Sequence, residues 1–280
     1  MIVDTHVHVV SDDHARYPLR PGGLPGAWYL EAPCTVEEFL ALMDASGVDR
    51  AVLVQGVGAY TFDNAYTADS ARRYPGRFGG VCCVDPNGDD PPGELSRWVR
   101  ERGIGGVRLF AIGGPGGAEP WLSSDIAEPL WRRASALDAV VVATILASQI
   151  EELRAALLRY PDTRVSLDHC GFPPLASAAF AGAEPLLELA RLPNLYLKVT
   201  TTVLDAAAEH GDPRDFVELL VARFGANRIQ WGSDFSQTHD RPYAELVDLA
   251  RHAFSRLGDG DRDLCLGGTA LRLWPQLAGR

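Results

Sequence analysis

Short runs of apolar, mostly β-branched residues alternate along this chain with longer stretches in which apolar positions recur every three to four residues. The strand-like runs fall at 2–9 (IVDTHVHV), 50–55 (RAVLVQ), 77–84 (RFGGVCCV), 105–110 (GGVRLF), 139–145 (AVVVATI), 164–169 (RVSLDH), 195–200 (LYLKVT) and 228–233 (RIQWGS). Helical spacing covers 35–46, 64–74, 92–102, 126–137, 149–160, 183–192, 213–224 and 242–257. Over 35–46, Thr35 is a candidate N-cap and Glu38, three residues on, completes a capping box.

Every strand is thus followed by a helix, which calls for a parallel sheet with crossover helices, and eight is the number of strands that closes a barrel. No linker, low-complexity tract or repeat divides the sequence. The reading is one α/β domain over 1–280, a single (β/α)8 TIM barrel, with a long Pro-, Gly- and aromatic-rich loop at 11–34 after the first strand and a last short helix over 266–277 against the bottom or side of the barrel. An open doubly wound sheet is the structural rival, but no glycine-rich dinucleotide fingerprint follows an early strand.

Composition narrows the function classes. The 280 residues are 46% hydrophobic and carry a formal net charge of -11, so a large core is possible and a polyanion-binding surface is not expected. The five cysteines show no metal-finger spacing and read as small buried hydrophobes, reduced in a cytoplasmic setting. Residues 1–10 lack the marks of a signal peptide, and no apolar run is long enough for a membrane span. A small-molecule substrate is expected, with no nucleic-acid or membrane partner; homo-oligomerisation stays open.

Chemistry concentrates at strand ends. On strict alternation Asp4, His6 and His8 share one face of the first strand and Val3, Thr5, Val7 and Val9 the other. His169 ends the sixth strand and Asp234 follows the eighth, so the four groups His6, His8, His169 and Asp234 would meet at one rim, although any single histidine could equally be a satisfied core residue. Arg108 is either a bidentate carboxylate clamp or half of a structural ion pair. Phe110, beside it, joins the substrate-binding candidates. Lys198 shares a face with Tyr196 and Thr200 and, if it points inward, needs a salt-bridge partner. Trp28, Tyr29, Tyr60, Trp121, Phe172 and Phe235 are candidate pocket aromatics, and the loop histidines His239 and His14 could reach the mouth. His210 and His252 read as surface residues, and the glycine run at 113–120 as a mobile substrate loop.

The ordered set DTHVH, SLDHCGFP, NLYLKVTTT, RIQWGSDFSQ and GGTALRLWP, spread over nearly the whole chain, resembles the amidohydrolase superfamily, in the amidohydrolase-2 branch that includes sugar lactonases and pyrone-dicarboxylate lactonase. The resemblance implies a distorted (β/α)8 barrel in which His6, His8 and Asp234 hold one divalent metal ion, zinc foremost, or work without any, as in some lactonases. His169 matches the sixth-strand histidine. One position departs from the pattern: where metal-dependent relatives carry a ligand histidine at the end of strand 5, this chain has VVVATILASQ, with Thr144 and Ser148. Three ligands remain, and no bridging lysine or glutamate for a second metal appears in the fourth or fifth strand. The activity implied is hydrolysis of a cyclic ester, with Asp234 as general base and His6, His8 and His169 polarising the carbonyl. The alternatives are a metal-dependent decarboxylase or hydratase of the aminocarboxymuconate semialdehyde decarboxylase type, and a non-catalytic ligand-binding barrel.

Overall fold

The computed structural model describes residues 1–22, 24, 26–113, 121–176 and 180–278. Among them, eight strands pair in parallel in sequence order: β1 (Val3–Val7), β2 (Arg50–Val54), β3 (Phe78–Cys83), β4 (Gly106–Phe110), β5 (Val140–Thr144), β6 (Val165–Leu167), β7 (Leu195–Thr200) and β8 (Ile229–Gly232). The ring closes just past the end of β8, where Val7 bridges Phe235, the Asp234 amide donates to the His6 carbonyl (2.8 Å) and the His8 amide donates to the Phe235 carbonyl (2.6 Å). This is the (β/α)8 barrel, with a looser seam between its first and last strands.

The helices are α1 (Trp28–Glu31) and α2 (Val36–Ser46) after β1, α3 (Val57–Tyr60) and α4 (Ala65–Arg73) after β2, α5 (Pro91–Arg102) after β3, α6 (Glu128–Ala136) after β4 and α7 (Ile150–Arg159) after β5. Next come α8 (Glu184–Glu188) after β6, α9 (Thr201–Ala208) and α10 (Pro213–Phe224) after β7, then α11 (Tyr243–Ala253), α12 (Asp259–Asp263) and α13 (Thr269–Leu273) after β8. Helix α2 starts on the expected capping box, with the Thr35 hydroxyl accepting from the Glu38 amide and the Thr35 amide donating to the Glu38 carboxylate. The short helices α1, α3, α9 and α12 are not foreseen by periodicity, because one to two turns carry too few repeats to register.

Outward-facing strand residues pack with the helices into one large apolar layer, and inward-facing ones fill the barrel. The last segment does more than rest against the bottom. Leu273, Trp274 and Leu277 join Val3, Val52, Val81, Val140 and Val142 in the interior cluster and so plug the lower end. Gly106 makes room for the plug, since a Cβ there would sit 2.9 Å from the Trp274 ring and 2.6 Å from the Val140 carbonyl oxygen. Above the plug, the Trp274 indole donates to Gln230 (3.0 Å) and Gln230 donates to Ser166 (2.7 Å). Because inward positions climb by two residues, the next step up on β4, on β5, just past β6 and on β7 is Arg108, Thr144, Asp168 and Lys198.

The first strand breaks strict alternation, which corrects the expected placement of Asp4. A register shift lies between Asp4 and Val7, so Val3 points into the barrel floor while Asp4 turns to the helix layer. There Asp4 accepts from the Tyr243 hydroxyl (3.0 Å) and from the Ser233 amide (2.9 Å). Burial raises its carboxyl to about 6, against the lowering effect of these hydrogen bonds.

Candidate active site

Past the shift, His6 and His8 point inward at the C-terminal rim and meet Asp234. Their Nε2 atoms lie 3.2 Å apart, and each is 3.5 Å from Asp234 Oδ1. Asp234 holds a left-handed backbone (φ 64°) just after the Gly232–Ser233 turn, and that conformation swings the carboxylate over the rim. Gly232 is required by contact: a Cβ there would come within 2.7 Å of His6 Cβ. His169 sits not at a strand end but in the tight turn Asp168–Gly171 after β6, with φ 53°. Its Nδ1 pairs with the Thr200 hydroxyl (2.9 Å), and its ring lies 4.9 Å from that of His6 and stacks on Phe172 at 4.5 Å. All four expected groups therefore converge, and all are buried.

Electrostatics favour the neutral imidazole in His6 and His169. Burial depresses His6 and His169 below the ordinary histidine value, outweighing the nearby carboxylates that pull the other way. Burial alone would raise Asp234, but His169, His8 and His6 outweigh it and hold the carboxyl below its usual range. Asp234 Oδ1 is nonetheless buried with no hydrogen-bond partner among the described residues.

That orphan oxygen and the two facing nitrogens bear on metal binding. The His8 Nδ1 atom is 2.8 Å from the Val54 carbonyl, which can only accept, so Nδ1 carries a proton and Nε2 is the nitrogen whose lone pair a metal ion would take. The three donor atoms of His6, His8 and Asp234 are separated by 3.2 to 3.5 Å, close to the about 3.3–3.5 Å edges of a tetrahedral zinc site built with ordinary ligand bond lengths. The donor set fits one divalent cation. A second cluster, His6 with Asp168 and His169, is less suited, because the Asp168 oxygens already serve protein donors.

Asp168 is the site residue that the sequence pattern does not single out. Its Oδ1 lies 2.8 Å from Lys198 Nζ and 3.2 Å from His6 Nδ1, while its Oδ2 accepts from Thr144 (2.7 Å) and from Arg108 Nε (3.2 Å). Burial works against the charge, but Lys198, His6 and Arg108 hold Asp168 well below the ordinary carboxylate range. A signal exists in the sequence all the same: an inward Lys198 demands an acid, and Asp168 is on the neighbouring strand's end. Lys198 is thus half of a buried ion pair. Arg108 also turns inward, with Nε on Thr144 (2.8 Å) and Asp168 and Nη1 on the Gln55 carbonyl (3.4 Å), so the bidentate clamp does not match the geometry. Thr144 ends β5, and its hydroxyl donates to Asp168 (2.7 Å).

A cavity of about 410 Å³ opens over this floor, with Trp28, Phe110, Phe172, Arg108, His169 and His239 among its lining. Trp28 lies 5.3 Å from the His8 ring, and the Arg108 guanidinium is over Phe110 at 4.9 Å. His239 lies 3.3 Å from Glu31 at the mouth. Tyr29, expected in the pocket, does not line it; it packs edge-on to Trp28 within the apolar layer. Tyr60 is likewise buried, its hydroxyl oxygen accepting from the Ser11 amide, and Phe235 packs against Phe39 and Tyr243. Trp121 borders a separate small void, Ser148 a separate apolar one. His14, His210 and His252 are exposed. Of the glycine run 113–120, residues 114–120 lie outside the described residues. A larger groove of about 700 Å³ on the flank is lined by charges already paired, Arg16 and Arg72 with Asp69 and Arg73 with Glu37. Among the described residues no helix is long and apolar enough to cross a membrane.

A parallel (β/α)8 barrel with imidazoles and a carboxylate gathered beneath a cavity at its C-terminal rim is the architecture of a barrel enzyme. The chain belongs to the amidohydrolase family, whose model matches residues 3–276. It is 29% identical to the L-fucono-1,5-lactonase of Burkholderia ambifaria over 97% of this chain and 94% of that protein. It is 28% identical to the 4-sulfomuconolactone hydrolase of Rhizobium radiobacter, covering 83% of this chain and 74% of the relative. In structure it is similar to a putative 2-pyrone-4,6-dicarboxylic acid hydrolase from Pseudomonas putida, with a TM-score of 0.78, 23% identity, and 98% and 97% of the two chains covered.

Proposed function

We propose that this protein is a lactonase, opening a small cyclic ester with water activated by Asp234. The observation that carries the reading is Asp234 Oδ1, a buried, ionised oxygen without a hydrogen-bond partner among the described residues, 3.5 Å from the Nε2 atoms of His6 and His8 and beneath His169, which lines the cavity and whose ring lies 4.9 Å from that of His6. Such an oxygen is placed to take a proton from water as that water attacks the ester carbonyl carbon. His169, lining the cavity above, is placed to donate from Nε2 to the carbonyl oxygen as negative charge develops on it. Collapse of the tetrahedral adduct breaks the ring C–O bond, and the proton held by Asp234 passes to the departing alkoxide, giving a hydroxy acid. His6, His8 and Asp234 would hold a divalent ion, zinc by its donor set, which would supply Lewis-acid polarisation of the carbonyl.

The cavity walls suit a compact ring. Trp28, Phe110 and Phe172 provide flat apolar faces, and Arg108 leaves Nη2 without a partner among the described residues, enough for one hydrogen bond to a ring substituent. The lactone-opening relatives support hydrolysis over decarboxylation, and the absence of a histidine from β5 (VVVAT) agrees with that choice. The test is a panel of γ- and δ-lactones assayed by proton release. Asp234→Asn should lower kcat by about 10²- to 10⁴-fold with the fold retained. Full activity in that variant, or release of carbon dioxide rather than acid, would reject the scheme.

A further inference from the structure

His6 is the residue on which the cluster turns, and its Nδ1 faces two groups of opposite demand. Asp168 Oδ1, at 3.2 Å, can only accept, whereas Lys198 Nζ, also at 3.2 Å, can only donate when charged. The choice between them decides where the imidazole proton resides. With the proton on Nδ1, the Nε2 lone pair faces His8 and Asp234. With the proton on Nε2, that nitrogen becomes a donor toward the His8 Nε2 atom, 3.2 Å away.

We propose that Asp168 is a positioning residue that holds His6 as the Nδ1–H tautomer, with Lys198 bracing Asp168 rather than donating to His6, so that His6, His8 and Asp234 present three lone pairs to one point. The proposal rests on the same reading of the His6, His8 and Asp234 cluster as the function above.

Three observations carry it. A carboxylate has about four acceptor sites, and Asp168 meets four donors: Lys198 and His6 on Oδ1, Thr144 and Arg108 on Oδ2. Withdrawing the His6 proton would leave one side of a fully buried charge short of a partner, which is costly. Lys198 also lies nearer to Asp168 (2.8 Å) than to His6 (3.2 Å), and a charge-assisted bond to the carboxylate is stronger than one to a neutral imidazole. Finally, His8 already has its proton on Nδ1 through Val54, so the matching tautomer in His6 completes a convergent set of acceptors around the orphan Asp234 oxygen. Carboxylate partners that orient a ligating imidazole in this way commonly change metal affinity 10- to 100-fold when removed.

The test removes the Lys198 charge together with that of Asp168, so that of the buried ion pairs only Arg108, at the cavity wall, loses its acid partner. Lys198→Met leaves Asp168 the donors Arg108, Thr144 and His6 and removes the competing donor to His6 Nδ1, so the Nδ1–H tautomer of His6 should be retained. In the double variant Asp168→Asn with Lys198→Met, the amide oxygen is drawn to the Arg108 guanidinium. Its NH2 then faces His6 Nδ1 and pushes the proton to Nε2. The 15N shifts of labelled histidine, with the His6 signals assigned through their loss in His6→Asn, should show Nδ1 protonated in the parent and Nε2 protonated in the double variant. Calorimetric zinc and cobalt binding should weaken by about 10- to 100-fold in the double variant. Circular dichroism reports retention of fold.

A parent protein protonated at Nε2, or a double variant with parental nitrogen shifts, overturns the proposal. Parental metal affinity in a double variant whose tautomer has switched overturns the link to ion binding. If the parent takes up neither ion, the nitrogen shifts still decide the positioning role. Lactone turnover is not a readout, so failure to find a substrate would count against the proposed activity and leave this result to stand or fall separately.

Discussion

At the scale of single residues, the site depends on close approach as much as on the catalytic groups themselves. His6 reaches its neighbours only because β8 ends in Gly232, where any Cβ would stand 2.7 Å from that of His6. Gly232→Ala should therefore push β1 and β8 apart at the rim. An expected cost of about 1–3 kcal/mol in urea unfolding should accompany a fall in turnover well beyond what the lost stability explains. Equal loss in Ser233→Ala, which brings no such clash, would point to the turn in general instead. Asp168 shows why residue identity alone misleads: a carboxylate beside His169 in SLDHCGFP is indistinguishable by type from a rim ligand. Only its four donors tie it to the interior.

At the scale of elements, periodicity located the long helices closely, as in α10, where 213–224 matches Pro213–Phe224. It located strands to within a residue or two, because turn residues delimit them. The short helices α1, α3, α9 and α12 escaped, and so did the break in alternation within β1, since a bulge has no compositional mark in VDTHV. The final segment was legible as a helix but not as a plug. Trp274, fully buried at the barrel floor with its indole on Gln230, is far from the rim in the layering of the barrel. Trp274→Ala should cost about 3–5 kcal/mol in chemical denaturation and leave kcat on a good lactone substrate nearly unchanged at 25 °C. A large loss of kcat in a variant that remains folded would mean that the floor and the rim are coupled.

At the scale of the whole molecule, the interior sets how stability responds to pH. All five thiols are buried and free, and burial pushes Cys34, Cys83 and Cys265 up to about 12, with Cys82 and Cys170 also displaced upward. Unfolded thiols ionise near about 8.5, so above that pH the unfolded chain releases protons that the folded chain keeps. The stabilising difference is complete below about 8.5 and is lost as pH rises toward the folded values, at about 1.4 kcal/mol per pH unit for each thiol. Thermal melting points should be highest near pH 8, because below about pH 7 the unfolded chain binds protons at His6 and His169 that the folded chain does not, and should fall steeply from about pH 9. Replacing Cys82 and Cys170 by alanine should flatten that fall, and an unchanged slope would assign the alkaline transition to other groups, such as Tyr66, also raised by burial.

Local physics wrote much of this protein into its sequence: alternating strands and helices, the count of eight and the capping box on α2 all follow from side-chain periodicity and backbone preference. Tertiary structure alone decided which way Asp4 faces, that Tyr29 packs away from the cavity, and that Arg108, Lys198 and Thr144 converge on Asp168. The reason is range. Periodicity is a property of neighbours along the chain, whereas the state of a buried charge is set by groups that only barrel closure brings within hydrogen-bonding distance.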